Sequence, residues 1–515
     1  MDQSPAEGRY LLAHDTGTGG DKAVLTDLQG RVIRSAYREY PVLYPRPDWA
    51  EQDPEQLWRA VAETTKQVIT ESGIRPESIL GVGISAQMFN LLPVDERCRP
   101  LTPMLSWLDI RSVAQADRLF HDDLPSFLFQ HTGNIPTAKD IIPKILWLRE
   151  ERPEVWARTW KLLDCKEFIL HRLTGRVVTD WHGASVFFLF DPHRKVWSEP
   201  ACRRLGIPLE KLPEARPCTE VIGEVTAEAA AATGLAAGTP VIVCAGDVAV
   251  AQAGSGANAI GRAHLSLGTA TWVGLSIRPF VNDPHKPFWG LSHIAPDRWI
   301  LAGEMETGGG ALMWFRDAFC QEEARQAKAE GVSTYVVLSR MAERVPPGSD
   351  RLLFAPSLSG ERAPVLDHYA RGAWVGLSLT HTKAHLARAI MEGVAYHMRW
   401  ICEAIEALGQ PIGALQGIGG GCTSPVWVQI LADVTGKSLR VVEHPREAGA
   451  IGAALTVAVG LGIYPDVDAV DALIHVHRVV DPRSDLWTRY DDLYAQYRQM
   501  YSALNPIFRR LHEVR

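Results

Sequence analysis

The sequence predicts an α/β protein of two related lobes with a ligand-binding cleft between them, and three observations carry that prediction. A turn built from an acidic or hydroxyl residue, Gly and Thr between two short apolar runs occurs twice, within Leu11–Leu25 and within Ala263–Val273. Strand-like and helix-like runs alternate through the first half, the grammar of an α/β domain. At 515 residues the chain is also too long for a single hydrophobic core.

In chain order, Tyr10–Ala13 and Ala23–Thr26 flank the first turn and read as a hairpin, Pro54–Glu71 as a helix, and Ile79–Ser85 as a strand. The Trp-rich middle, Ile141–Trp197, carries Lys144–Leu148 and Glu167–Leu170 at helical spacing and is expected to be an insertion that shapes a pocket. The apolar strand Val241–Cys244 leads into Ala245-Gly246-Asp247 and a small-residue run to Gly261, the expected passage into the second half. Leu386, Ile390, Val394, Met398, Ile401, Ile405 and Leu408 lie three or four apart, so His385–Leu408 is an amphipathic helix. Ala448–Ile463 is uncharged but shorter than the roughly 20 residues that span a bilayer, and reads as a buried helix. From Asp481 the chain turns polar and helical, as a solvated packing helix would. The expected units are therefore residues 1–256, 257–480 and a tail, 481–515.

Composition narrows the function classes. With 46% hydrophobic and 22% charged residues the chain is ordinary globular protein, and a net charge of -7 argues against nucleic acid as the main partner. The start lacks the basic-then-apolar pattern of a secretory signal, and no membrane span is expected, which points to the cytoplasm. Eight scattered cysteines without a C-x-x-C pair suggest reduced, buried thiols and neither disulfides nor a zinc site.

The chemistry is expected at three glycine-rich places. Turns such as Asp15-Thr16-Gly17-Thr18 and Leu267-Gly268-Thr269 can aim several N–H groups and Thr hydroxyls at one point, which makes a phosphate clamp. A third, Leu415–Ser424 with Gly419-Gly420-Gly421, precedes the helix Val426–Thr435, whose N-terminus offers free amides. Two look-alikes fail. Thr435-Gly436-Lys437-Ser438 ends a helix where a P-loop would open one, and no strand feeds Gly254–Ala259. His475 and His477 read as surface-strand residues before metal ligands.

The order of Asp15-Thr16-Gly17-Thr18, Gly246-Asp247, Leu267-Gly268-Thr269 and Gly419-Gly420-Gly421 through Gln429 and Asp433 resembles the FGGY family of carbohydrate kinases, in its xylulokinase-like branch. Gly372–Leu377 followed after seven residues by His385–Glu392 is similar to a family signature. The resemblance spans about Tyr10 to Pro465. It implies two actin-like (ribonuclease H-like) domains with an interdomain cleft, ATP mainly on the second and the sugar mainly on the first. It also implies ATP contacts at Thr16, Gly17, Thr18, Gly268, Thr269, Gly420, Gly421, Ser424 and Gln429, with Asp15 orienting Mg2+ through water. Asp247 matches the catalytic base; its plain structural alternative is a helix N-cap, as Asp15's is a turn-forming role. Gln87, Met88, Phe89, Trp107, Asp109, Asp247 and Val248 fall in the segments implied to line the sugar pocket, and a homodimer is the oligomer to expect.

The sugar segments depart from the pattern. Phe89, Leu108 and Val248 stand where the family usually has His, Asn and Asn. Three polar positions have become apolar in one expected pocket. The expected activity is phosphorylation of a sugar or polyol hydroxyl, a ketopentose such as xylulose or a close relative first; the apolar positions point away from D-xylulose itself to a related polyol or sugar with fewer or differently placed hydroxyls. Another short polyol, ketose or sugar acid is an alternative, as are relaxed specificity and a non-catalytic sugar or nucleotide sensor. A shape-changing actin- or chaperone-like ATPase is disfavoured by the signature around His385.

Overall fold

Leu11–Ala13 and Ala23–Leu25 have no solvent exposure, and they form the centre of the first of two sheets in the computed structural model, which describes residues 8–513. Tyr10–Thr16, Gly20–Asp27 and Val32–Glu39 run as an antiparallel meander. Ile79–Ala86 and then Pro240–Ile242 add in parallel on the other side of Tyr10–Thr16, and Val221–Glu224 closes that edge antiparallel.

The second sheet repeats this plan. Ala263–Leu267, Thr271–Ile277 and Trp299–Met305 form the meander, Ala414–Ile418 and Ser438–Val442 add in parallel, and Val476–Val480 closes the edge antiparallel. Trp289–Ser292 is an extra edge strand beyond the meander. Each Gly-Thr turn thus joins the first two strands of its sheet, at the end where the parallel strands also finish. Open sheets commonly bind ligands outside those carboxyl ends.

The helices follow their sequence signals. Pro54–Ser72 starts at Asp53, whose side chain accepts from the Glu55 amide, and stops at Gly73 with φ 68°. Lys383–Glu406 buries Ile390, Val394, Met398, Ile401 and Ile405 against the second sheet. Helix Asp247–Gly254 crosses helix Ala448–Gly460 so tightly that a Cβ on Gly254 would lie 1.7 Å from the Ala448 carbonyl oxygen. On Gly452 it would lie 2.0 Å from that of Val250. All eight cysteines are buried and free, and no helix among the described residues is long and apolar enough to cross a membrane.

Packing redraws three of the sequence-based units. Helix Cys165–Thr174, expected within an insertion, contributes Phe168, Ile169, Leu170 and Leu173 to the core under the first sheet. Helix Ala448–Gly460, late in the chain, places Ile451, Leu455 and Val457 in one cluster with Leu11, Ala13 and Ile242 of the first lobe. The tail helix Trp487–Glu513 is no solvated appendage, because Tyr490, Tyr494, Tyr497 and Tyr501 recur at helical spacing and are buried on the second-lobe core. Their hydroxyls bond Glu392 (3.0 Å, Tyr490), Glu403 (2.6 Å, Tyr494) and His397 (2.9 Å, Tyr497).

Candidate active site

The first turn is braced from behind. Thr16 is buried and donates its hydroxyl to Asp21 Oδ1 at 2.7 Å. Asp21 Oδ2 also accepts from Thr64 (2.6 Å) and pairs with His14 Nδ1 (2.9 Å). The Gly17 amide donates to the Gly20 carbonyl at 2.9 Å, and Tyr40 donates to the Gly17 carbonyl. Thr16 and Gly17 therefore shape the turn, while Thr18 presents its hydroxyl, which accepts from the indole of Trp107 at 2.7 Å.

Asp247 lies within the field of Asp15, in the same lobe. A Cβ on Gly449 would lie 3.0 Å from Asp15 Oδ2, so the carboxylate sits against the N-terminus of helix Ala448–Gly460, where partial positive charge gathers. Burial nevertheless raises the Asp15 carboxyl above its ordinary range, opposed by Lys22 and reinforced by Asp21. Asp247 opens helix Asp247–Gly254 but is not its cap, since Gly246 holds that position. Its Oδ1 is buried without a hydrogen-bond partner, and burial together with the Asp15 charge pushes the carboxyl up to about 7.

A cavity of about 970 Å³ is bounded by the second and third glycine motifs. Of the expected residues, Gly268, Thr269, Gly420, Gly421 and Ser424 line it. Gly419 has φ 90° and stands where a Cβ would be 2.7 Å from the Leu267 carbonyl oxygen, so the third motif lies directly under the second. Ser424 caps helix Pro425–Thr435 and bonds Ser339 at 2.9 Å. Lys22 and Tyr37 reach the cavity from the first lobe, and Arg340 and Glu343 from the second; none carried a motif signal.

Gln429 corrects the sequence reading. Five residues beyond Ser424, it lies about 140° round the helix from the motif. There it donates to Asp433 (2.9 Å) and the Asp481 carbonyl (3.1 Å), away from the cavity.

Met88 and Phe89 are both buried, with Phe89 at φ 64° and its ring 4.8 Å from that of Trp289. Val248 is buried in the same apolar cluster. Gln87 donates to Gln52 Oε1 at 2.7 Å and leaves its own Oε1 buried without a partner. Asp109 is the second correction. It has no exposure, and its oxygens are taken by Arg111 (2.7–2.9 Å) and the Ala50 amide (2.7 Å), so it braces its own segment.

Groups without any motif complete the cleft. Lys139 Nζ of the first lobe meets Glu306 Oε2 of the second at 2.7 Å, and Arg362 Nη2 of the second meets Asp140 Oδ1 of the first at 3.0 Å. Glu304 lies 3.6 Å from Arg362 Nε, and the Asp247 charge is one cause of its raised carboxyl, after burial and Glu306.

The chain thus combines a buried carboxyl, Asp247, that feels the charge of Asp15, with a cavity of about 970 Å³ lined by the second and third glycine motifs. Residues 10–254 match the N-terminal domain of the FGGY family of carbohydrate kinases, and residues 263–461 its C-terminal domain. The chain belongs to the FGGY family. It is 32% identical over 470 residues to a gluconokinase of Bacillus subtilis, covering 90% of each protein. It is 29% identical over 507 residues to a xylulose kinase of Lactococcus lactis, covering 98% of this chain and 99% of that one. The solved xylulose kinase of Rhodospirillum rubrum superposes with a TM-score of 0.84 at 29% identity, covering 97% of this chain and 100% of the other. The two repeated lobes are thus the actin-like pair of FGGY carbohydrate kinases, and the chain is a sugar kinase by family.

Proposed function

We propose that this FGGY chain transfers the γ-phosphoryl group of ATP to a hydroxyl of a neutral sugar or polyol, a ketopentose such as D-xylulose or a close relative being the first candidate. The observation that carries the reading is Asp247: a buried, unpartnered carboxylate oxygen on a group pushed up to about 7 by burial and the Asp15 charge. A base of that strength is half ionised at neutral pH and can take the hydroxyl proton as the oxygen attacks the γ-phosphorus, typically worth about 10²- to 10⁴-fold. The Gly268–Thr269 turn and Lys22 supply donors and positive charge where the phosphates would lie.

Mg2+ fits the same corner. The half-buried Asp15 offers hard oxygen atoms beside the unpartnered Asp247 oxygen, and it would hold the ion through water together with the ATP phosphates. When bound, the ion neutralises charge on the transferring group. Phe89 and Trp289 exclude water from the far wall, and Gln87 and Trp107 orient the sugar.

A sugar acid is the second reading, favoured by the 32% identity to a gluconokinase. The test is sugar-dependent ADP release with Mg-ATP over neutral pentuloses, hexuloses, tetritols and pentitols and over gluconate, with Asp247→Ala as control. One Asp247-dependent neutral hit supports the proposal. A gluconate hit alone selects the second reading, and uniform silence with ATP binding intact overturns both in favour of a sensor.

A further inference from the structure

The three positions where the resemblance leads one to expect polar side chains, Phe89, Leu108 and Val248, give the first-lobe wall little with which to read hydroxyls. The opposite wall supplies it. Strand Trp299–Met305 ends with Glu304 beside Met305, and Glu306 follows immediately; both carboxyls are more than nine-tenths buried. Lys139, bonded to Glu306 at 2.7 Å, lies 5.8 Å from the ring centre of Trp107, so this pair reaches the wall that carries the indole. Arg362 stands 5.0 Å over the Trp289 ring and 5.7 Å over that of Phe89.

Polar capacity is left over at this place. Arg362 is 3% exposed, and its Nε has no hydrogen-bond partner although it sits 3.6 Å from Glu304 Oε2 and 3.9 Å from Glu306 Oε1. Gln87, 4% exposed, has an unpartnered Oε1, and Asp247 an unpartnered Oδ1. Buried polar atoms are normally paired, and each exception calls for a partner. Hydroxyls, which donate and accept, answer both kinds.

Charge decides which hydroxylated molecule fits. Each cation of the network already has a carboxylate at hydrogen-bond distance, Lys139 with Glu306 and Arg362 with Asp140. Despite its burial, Glu306 is held low by Lys139 and Arg362, whereas burial and the Glu306 charge hold Glu304 high. An incoming carboxylate would therefore meet Glu306, Asp140, Asp15 and Asp247 with both network cations occupied, a like-charge arrangement that selects against it.

We propose that Glu306 forms a charge-screening wall of the sugar pocket, which keeps Lys139 paired internally and so admits neutral polyhydroxylated substrates and rejects sugar acids. The inference rests on the phosphotransfer reading and names its substrate class. Glu306 is the specificity-determining residue, because removing its charge frees Lys139 to receive a substrate carboxylate.

The experiment compares kcat/KM for neutral probes (D-xylulose, D-ribulose, erythritol and xylitol) with that for D-gluconate and D-xylonate, in the wild type, Glu306→Gln, Glu306→Asp and Lys139→Met/Glu306→Gln. Thermal unfolding and ATP-analogue binding are measured on each. The wild type is expected to favour its best neutral substrate over its best acid at least 100-fold. Glu306→Gln narrows that ratio at least tenfold by gaining activity on the acid, and the double variant loses the gain, with KM for ATP unchanged. Glu306→Asp, which keeps the charge but shortens its reach to Lys139, narrows the ratio at least threefold and stands as the second variant if Glu306→Gln fails to fold. A wild type that prefers an acid, or a ratio unmoved by both folded variants, overturns the proposal while leaving sugar phosphorylation intact. Silence of the wild type on every probe overturns the phosphotransfer reading itself, and this inference with it.

Discussion

The indole N–H of Trp107 donates to the hydroxyl of Thr18 at 2.7 Å, so the Trp107 segment is tied directly to the first Gly-Thr turn. Trp107→Phe keeps the ring and removes the donor, and Thr18→Val removes the acceptor. The bond is part-buried, so losing it costs about 0.5–1.5 kcal/mol, or roughly two- to 13-fold, and kcat/KM is expected to fall within that range for each single variant. A double-mutant cycle should return a coupling of about 1 kcal/mol; additive losses would show that the bond does not link the two subsites.

Asp247→Asn should lower kcat by about 10²- to 10⁴-fold with sugar KM nearly unchanged, and the wild-type kcat/KM profile should fall on its acid side near pH 7. Asp15 raises Asp247, so Asp15→Asn should move that limb to lower pH in the residual activity. A limb left in place would assign it to another group.

The same carboxyl has a stability signature. Its value is raised in the folded protein, so the native state binds the proton more tightly than the unfolded chain does, and stability declines as pH rises from about 4 towards about 7. Asp247→Asn removes that decline. Its Tm should exceed the wild type's at pH 8 and match it near pH 4, as read by calorimetry on the ligand-free protein; a lower Tm at pH 8 would contradict the buried, unpartnered carboxylate.

Asp109→Ala should act on folding before catalysis. It leaves Arg111, 3% exposed at its side chain, with only Glu51 at 2.8 Å. Breaking a buried pair costs about 3–5 kcal/mol. Chemical denaturation should report that loss, and a variant with unchanged stability but raised sugar KM would return Asp109 to the pocket.

Gln429→Ala should leave KM for ATP within twofold of the wild type, since the side chain bonds Asp433 and the Asp481 carbonyl outside the cavity. Ser339→Trp, placed on the cavity lining, should raise that KM at least tenfold. Equal effects of the two would misplace the nucleotide.

The fold was legible because its signals are local. The Gly-Thr turns, the strand at Ile79 and the helix period through Leu386–Leu408 each lie within a few residues, and backbone chemistry decides them. What stayed hidden is a matter of direction and distance. Gln429 and Asp109 have side chains of the right type in the right motif, but helix rotation turns one away and Arg111 claims the other. Lys139 and Glu306 stand 167 positions apart with no motif around either, and only the closed arrangement of the two lobes makes them neighbours. The tail helix misleads for a related reason: tyrosines read as surface-compatible, yet their hydroxyls find buried Glu392 and His397 partners.

The crossing of Gly254 over Ala448 and of Gly452 under Val250 acts as a ruler. One of the two helices begins with Asp247, and the other begins beside Asp15. Their backbones touch where no methyl group fits, so how closely two glycines let the helix axes come bears on the gap between the two carboxylates. The smallest side chain added there would lengthen the gauge, and the chemistry would register an error made by a residue that never meets the substrate.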